Sequence, residues 1–109
     1  MVARNDSNME ITEKEFPEII NSSKLVVADF FAEWCMPCLM LAPVLEELGE
    51  EMKNVKFVKL NVDDNSDLAG KYNVSSIPCL VIIRDGKEVD RLVGNQSKED
   101  IEEKVNEFL

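Results

Sequence analysis

Two cysteines at a junction between a strand and a helix constrain the fold of this chain more than any other feature. Cys35 and Cys38 follow the apolar run Leu25–Phe31 and precede an apolar-periodic segment at residues 39–48. A nearly continuous apolar run is typical of a strand that is buried on both faces of a parallel sheet. Apolar residues at helical spacing indicate a helix with one buried face. A strand that passes directly into a helix predicts an α/β protein.

The spacing of the two cysteines predicts a redox pair. Side chains at positions i and i+3 share a helix face with their Cβ atoms about 5–6 Å apart, which allows a disulfide after modest adjustment. Cys35 would lie at the helix N-terminus, where free backbone N–H groups and the macrodipole favour a thiolate. Because a thiolate is the attacking species in disulfide exchange, Cys35 is the predicted nucleophile and Cys38 the resolving thiol. The alternatives, a structural zinc half-site or an iron–sulfur cluster, are disfavoured because the chain has no His and only one further cysteine.

Composition narrows the class of protein. A chain of 109 residues is expected to form one domain over residues 1–109. Its net charge of −10 disfavours nucleic acid as a partner. No apolar run is long enough for a membrane span, and residues 1–8 lack the apolar stretch of a signal peptide. We therefore expect a cytoplasmic protein in which the odd count of three cysteines reflects one exchangeable pair and one single thiol.

Periodicity and turn signals predict elements in the order βαβαβαββα. Right-handed crossovers then give a mixed sheet of five strands, parallel at first and antiparallel at its end, with four helices on its two faces. Three strand signals are expected: residues 9–11 for the first strand, residues 55–62 for a later one, and Asp85-Gly86 for a hairpin turn. The helix signals are a capping box of Thr12 and Glu15 for the first helix, Gly49 as a candidate stop or soft point of the second, residues 66–72 for a short third helix, and a capping box of Ser97 and Asp100 for the last.

Residues 29–38 resemble the active-site segment of the thioredoxin family. The resemblance continues in family order from about Ile11 onward, through Pro43, residues 59–63, Ile77-Pro78 and Val93-Gly94. It implies the thioredoxin fold and a protein-disulfide reductase without a prosthetic group. It also implies a monomer that acts on disulfides of target proteins and is returned to the dithiol form by a thioredoxin-reductase-type electron donor. The chain departs from the family pattern at three positions, because Phe31, Met36 and Cys79 stand where the family usually has Trp, Gly and Thr.

Two charged residues on predicted strands complete the catalytic set. Asp29 lies within the apolar run, so burial with a raised pKa is expected, and the resemblance implies that it takes the proton from Cys38. Strand alternation places Lys59 on the face of Val55 and Phe57. The resemblance implies that Lys59 lies near Asp29 and tunes it, whereas the alternative is a lysine that extends from the strand end to water.

The resemblance further implies an apolar substrate platform around the sulfurs. The Ile77–Pro78 peptide bond is expected to be cis, with the backbone before it pairing with the substrate chain like an added strand. An uncharged Met36 gives the Cys35 thiolate no cationic stabilisation, which predicts a strongly reducing dithiol. The platform residues are Trp34, Met36, Pro37, Ile77, Pro78, Val93 and Gly94.

The sequence does not settle the role of Cys79, and it leaves two rival functions for the protein. Cys79 is expected to lie close to the cysteine pair, and no charged residue within residues 77–80 would lower its pKa. These features favour a Cys79 that acts as a small buried apolar residue over one that acts as a third redox thiol.

The first rival function for the protein is a disulfide oxidant or isomerase, which the missing export signal and Met36 both disfavour. The second is a non-catalytic adaptor that uses the fold only for binding.

Overall fold

A four-stranded mixed sheet lies at the centre of the computed structural model, which describes residues 9–109. The strand order is β2-β1-β3-β4, with β1 parallel to β2 and antiparallel to β3, and β3 antiparallel to β4. The predicted α/β class with four helices is confirmed. The elements are α1 Phe16–Ser22, β1 Leu25–Phe31, α2 Met36–Glu51, β2 Lys56–Asn61, α3 Ser66–Lys71, β3 Cys79–Arg84, β4 Lys87–Val93 and α4 Lys98–Asn106.

The predicted fifth strand is wrong for the part of the chain that the structure describes. Residues 9–11 form only an isolated parallel bridge, in which Glu10 is paired with Lys59. The Lys59 N–H donates to the carbonyl of Met9, and the Ile11 N–H donates to the carbonyl of Lys59, both at 2.9 Å. A turn closed by the Glu15 N–H and the Thr12 carbonyl follows at once, so the chain leaves the sheet edge after one bridge. The predicted lack of an export signal concerns residues 1–8, which lie outside the described residues.

Two helix boundaries differ from the predictions. The Glu15 carboxylate accepts a hydrogen bond from the Thr12 N–H at 2.9 Å, but this pair closes a turn, and α1 begins only at Phe16. Gly49 does not stop α2, which continues to Glu51. A glycine inside a helix costs about 1 kcal/mol, and burial of the neighbouring Leu48 offsets that cost.

The hairpin turn and the last helix follow the predictions. Asp85 and Gly86 have φ values of 52° and 84°, as the two central residues of a type I′ turn require. The Ser97 hydroxyl accepts a hydrogen bond from the Asp100 N–H at 3.1 Å and caps α4. Ile101 is fully buried on the inner side of that helix.

Strand β1 divides the core into two layers, because its side chains alternate between the faces of the sheet. Val26, Ala28 and Phe30 pack with residues of α1 and α3 on one face. Leu25 and Val27 pack with residues of α2 and α4 on the other. A smaller cluster lies where β1 ends and α2 begins, and it consists of Phe31, Ala32, Cys35 and Cys38 with the partly buried Val62 and Ile77 against them.

Candidate active site

Cys35 and Cys38 form a disulfide at the N-terminus of α2. Their Cα atoms are 5.3 Å apart. Cys35 is the N-cap residue of the helix, and its Sγ accepts a hydrogen bond from the Cys38 N–H at 3.3 Å. Such a donor, together with the positive end of the helix dipole, stabilises negative charge on that sulfur when the disulfide is reduced. The predicted redox pair and its position at the strand-to-helix junction are confirmed.

Asp29 is a buried carboxylate with no hydrogen-bond partner for either oxygen among the described residues. Only 1% of the residue is exposed. Burial disfavours the charged form and raises the pKa of Asp29 from 3.8 to about 7, against the opposing effect of the Lys59 charge. The expected burial and raised pKa are therefore both present, and they give a carboxylate that exchanges its proton near neutral pH.

The alternation of β1 and the turns of α2 place Asp29 and Cys38 on the sides of these two elements that face each other. Leu25 and Val27 pack against α2, and Asp29 is the next residue on that face of the strand. On α2, Cys38 lies one turn before the buried Leu41, on the same side of the helix. The carboxylate and the second sulfur therefore both belong to the end of the β1–α2 interface that borders the disulfide.

Lys59 lies beside Asp29 in the sheet but directs its charge to an aromatic ring. The two residues are Cα partners in the β1–β2 ladder. The Lys59 Nζ lies 4.6 Å from the centre of the Phe31 ring, and the salt bridges within residues 9–109 include none between Lys59 and Asp29. Only 5% of Lys59 is exposed, which excludes the alternative of a lysine that extends to water. The lysine thus acts on Asp29 through the field of its charge.

An exposed apolar surface borders the disulfide. Trp34, Met36 and Val93 are 72%, 64% and 48% exposed. Pro37 is also exposed, while Ile77 is partly buried against the disulfide cluster. The Ile77–Pro78 peptide bond is cis, as expected, and the Pro78 carbonyl accepts a hydrogen bond from the Gly94 N–H at 2.8 Å. Ile77 thus packs against the disulfide cluster, Pro78 itself is buried, and the hydrogen bond to Gly94 joins the end of β4 to this loop, while the binding of a substrate here stays a prediction.

Asp63 is a site residue that the sequence analysis did not single out. The indole Nε1 of Trp34 donates a hydrogen bond to Asp63 Oδ2 at 3.0 Å. Trp34 follows β1, and Asp63 follows β2. Because parallel strands end at the same edge of a sheet, the pairing of β1 with β2 is the signal that could have predicted this contact. The bond orients the exposed indole next to Cys35.

Cys79 is a buried free thiol in the core layer on the α1 and α3 side of the sheet. It is not among the residues clustered around Cys35 and Cys38. Residues 77–80 carry no charge, but a neighbouring strand supplies one, because Arg91 on β4 places its Nη1 3.9 Å from the Cys79 sulfur. Burial nevertheless raises the pKa of the Cys79 thiol, and the Arg91 charge only partly opposes this. The environment is that of an inert buried thiol.

Replacing Cys79 by Thr is expected to leave disulfide reduction within about twofold of wild type, because a buried thiol with a raised pKa is a weak nucleophile. The oxidised protein is expected to contain one Cys35–Cys38 bridge and one free thiol. Peptide mapping after alkylation measures the second expectation, and a stopped-flow assay of the Cys79→Thr variant measures the first. A substantial fraction of Cys79 in a disulfide would contradict the inert role.

Nearly all of the chain matches a known family of redox proteins. The family model described as "Thioredoxin" matches residues 7–107. A thioredoxin of Bacillus subtilis is 52% identical over 89 residues, which are 81% of this chain and 86% of that protein. A thioredoxin of Chlorobaculum thiosulfatiphilum is 45% identical over 102 residues, 92% of this chain and 94% of that protein.

Solved structures show the same likeness in three dimensions. A thioredoxin of Plasmodium falciparum matches with a TM-score of 0.85 at 33% identity, over 92% of this chain and 98% of that one. A thioredoxin of Fasciola hepatica matches with a TM-score of 0.84 at 40% identity, over 90% of this chain and 95% of that one.

A helix-capping disulfide on this fold defines a thiol–disulfide oxidoreductase. The chain belongs to the thioredoxin family. Its activity is accordingly that of a protein-disulfide reductase, and its substrates are disulfides in proteins. Within residues 9–109, no helix is both long and apolar enough to cross a bilayer, and no three His, Cys, Asp or Glu side chains are grouped to hold a metal ion.

Proposed function

We propose that Cys35 attacks the target disulfide and that Asp29 serves as the base that activates Cys38. The Cys35 thiolate bonds to one target sulfur, and the other target sulfur leaves as a thiolate and takes up a proton. Asp29 then accepts the Cys38 proton, and the Cys38 thiolate attacks the Cys35 sulfur. The Cys35–target bond breaks, the released target sulfur takes up a proton while Asp29 gives one back to solvent, and the Cys35–Cys38 disulfide remains.

The observation that carries this assignment is the unpartnered, buried carboxylate of Asp29 on the α2 side of β1. A base is most effective when its pKa lies near the working pH, and a pKa of about 7 meets that condition. The nearby Lys59 charge lowers the pKa of Asp29 and so keeps part of the carboxylate ionised at neutral pH.

The platform residues hold the target chain in this proposal. Trp34, Met36 and Val93 supply exposed apolar contact area, and Pro37 and Gly94 allow close approach to the sulfurs. The main chain of Ile77, before the cis bond to Pro78, pairs with the target as an added strand. The packing of Ile77 against the disulfide cluster supports this position for the target.

The finer properties proposed for the protein concern its cellular role. It works as a monomer in the cytoplasm and carries electrons from a reductase to target proteins, which maintains the cellular balance of thiols and disulfides. The need for a reductase follows from the cycle, since each turnover leaves the Cys35–Cys38 disulfide to be reduced. Turnover of insulin disulfides with such an electron donor tests the catalytic role against that of an adaptor, which would bind without turnover.

The reduction potential separates a reductase from a disulfide oxidant. We expect a value at or below about −270 mV, because Met36 provides no positive charge to stabilise the dithiol form. Equilibration against a reference thioredoxin or a glutathione buffer, followed by alkylation and mass spectrometry, gives this value. A potential near about −180 mV or higher would indicate an oxidant or isomerase instead.

A further inference from the structure

Helix α2 presents large apolar side chains to solvent next to the disulfide. Met36, Leu39, Met40 and Pro43 lie at helical positions i, i+3, i+4 and i+7 and are all exposed, with Met40 at 68%. We call these four residues the apolar stripe. This spacing normally marks the face that a helix buries. The buried face of α2 is a different one, formed by Cys38, Leu41, Leu45 and Leu48.

The other end of α2 is acidic. Beyond the apolar stripe, the helix carries Glu46, Glu47, Glu50 and Glu51, which we call the acidic end. Carboxylates are unfavourable at a helix C-terminus because the dipole is negative there, and the last turn of α2 has no basic residue. Lys98 contacts Glu47 at 3.2 Å and Glu51 at 2.7 Å, but the salt bridges within residues 9–109 include none to Glu46 or Glu50. Half of the acidic end is thus left available to a basic partner.

The apolar stripe is continuous with the disulfide platform. It begins at Met36, between the two cysteines, and the exposed Trp34 precedes it. Glu33 and Asp63 border Trp34 at this end, the latter through its hydrogen bond to the indole. The sequence contains no Lys or Arg between Lys24 and Lys53. The result is an apolar surface with carboxylates at both ends.

We propose that the apolar stripe and the acidic end of α2 together bind disulfide-bearing target proteins that present Lys or Arg beyond an apolar segment next to the disulfide. The inference rests on the proposed attack by Cys35. Targets, rather than a reductase, are the occupants, because the flexible Met36 and Met40 side chains can repack against different sequences. A helix rises 1.5 Å per residue, so the acidic end lies about 20 Å from Cys35, a distance that about six extended residues span.

Two disulfide peptides test the surface directly. Each is a symmetric dimer in which the cysteine is followed by six mainly apolar residues and then by either two Lys or two Glu. At about 20 Å and 0.1 M salt the charges lie beyond the Debye length of about 10 Å, so they do not alter the reactivity of the peptide sulfurs. Stopped-flow mixing with the pre-reduced protein gives the rate constant of disulfide reduction without any reductase. We expect the Lys peptide to react about tenfold faster than the Glu peptide.

Charge reversals locate the source of that preference. Glu50→Lys is expected to reduce the preference about threefold, and Glu46→Lys/Glu50→Lys is expected to abolish it. Glu18→Lys is the matched control, because it makes the same charge change on the exposed surface of α1, across the sheet from α2. It should keep the preference within about twofold.

An apolar pair of variants tests the other half of the surface. Met40→Ser is expected to slow both peptides about threefold, because it removes contact area that the apolar segment would cover. Leu109→Ser removes a comparably exposed apolar side chain after α4 and should slow neither peptide. Thermal unfolding of each variant verifies that the fold is intact.

The outcomes separate the docking surface from the catalytic assignment. Reduction of neutral 2-hydroxyethyl disulfide by the wild-type protein supports the dithiol chemistry, and its absence would overturn the proposed function. If that reduction occurs but the Lys peptide has no advantage, or the advantage survives in Glu46→Lys/Glu50→Lys, the docking surface is wrong. The docking surface is also wrong if Met40→Ser slows reduction of the small disulfide as much as reduction of the peptides. It is likewise wrong if the charge reversals leave the peptide rates unchanged and slow only the return of the protein to its dithiol form by a reductase.

Discussion

Cys35→Ser is expected to abolish disulfide reduction, whereas Cys38→Ser is expected to attack a target once and remain joined to it. Cys35 caps α2 and accepts a hydrogen bond from the Cys38 N–H, so its sulfur is the one stabilised as a thiolate. Without Cys38, no thiolate is available to release the target from the mixed disulfide. Intact mass spectrometry after mixing each variant with a disulfide substrate measures the trapped complex.

The single cysteine provides a matched control for these replacements. Cys79→Ser removes a thiol that is buried in a separate cluster, and it should neither trap a target nor lose more than about half of the activity. If Cys35→Ser traps a target through Cys38, the roles of the two active-site sulfurs are reversed. The geometry at the helix N-terminus would then not determine which sulfur attacks.

Asp29→Ala is expected to stabilise the folded protein at neutral pH while it slows disulfide reduction. The pKa of Asp29 is raised to about 7 in the folded state, so this state holds the proton more tightly than the unfolded chain, where the value is about 3.8. The stability from this group is full below pH 3.8 and is lost as the pH rises to about 7. At neutral pH the buried charge costs up to about 4 kcal/mol, since each pKa unit corresponds to about 1.36 kcal/mol.

Urea unfolding of the oxidised protein from about pH 5 to pH 8 measures this effect. The advantage of Asp29→Ala over wild type should grow across that range, to between about 1 and 4 kcal/mol, because a small cavity offsets part of the gain. Near pH 7 the release of the target should slow about a hundredfold or more, the lower end of the usual contribution of a positioned base. Lys59→Met serves as a control that keeps Asp29 but removes the nearby positive charge, and it should shift the pH profile upward. A variant that is less stable than wild type at pH 7 and fully active would contradict the assigned role.

Much of the fold was predictable because its strongest signals are local. The apolar run of β1, the Ser97 cap and the Asp85-Gly86 turn each depend on neighbouring residues, and all three are present in the structure. The predictions of element boundaries failed where tertiary packing, rather than local sequence, determined the structure. Gly49 is a weak helix former whose cost is offset by the buried face of α2, and residues 9–11 have the composition of a strand but leave the sheet after one bridge.

The sequence by itself determined the chemistry of the redox pair, since the spacing of Cys35 and Cys38 before a helix fixes both the disulfide and the sulfur at the N-cap. Only the tertiary structure determined which side chains lie next to Trp34 in the active site and next to Cys79. The indole of Trp34 meets Asp63 because β1 and β2 are parallel, and Arg91 meets Cys79 because β4 lies beside β3. Such contacts join residues far apart in the chain, and strand order and register, which no local pattern encodes, bring them together.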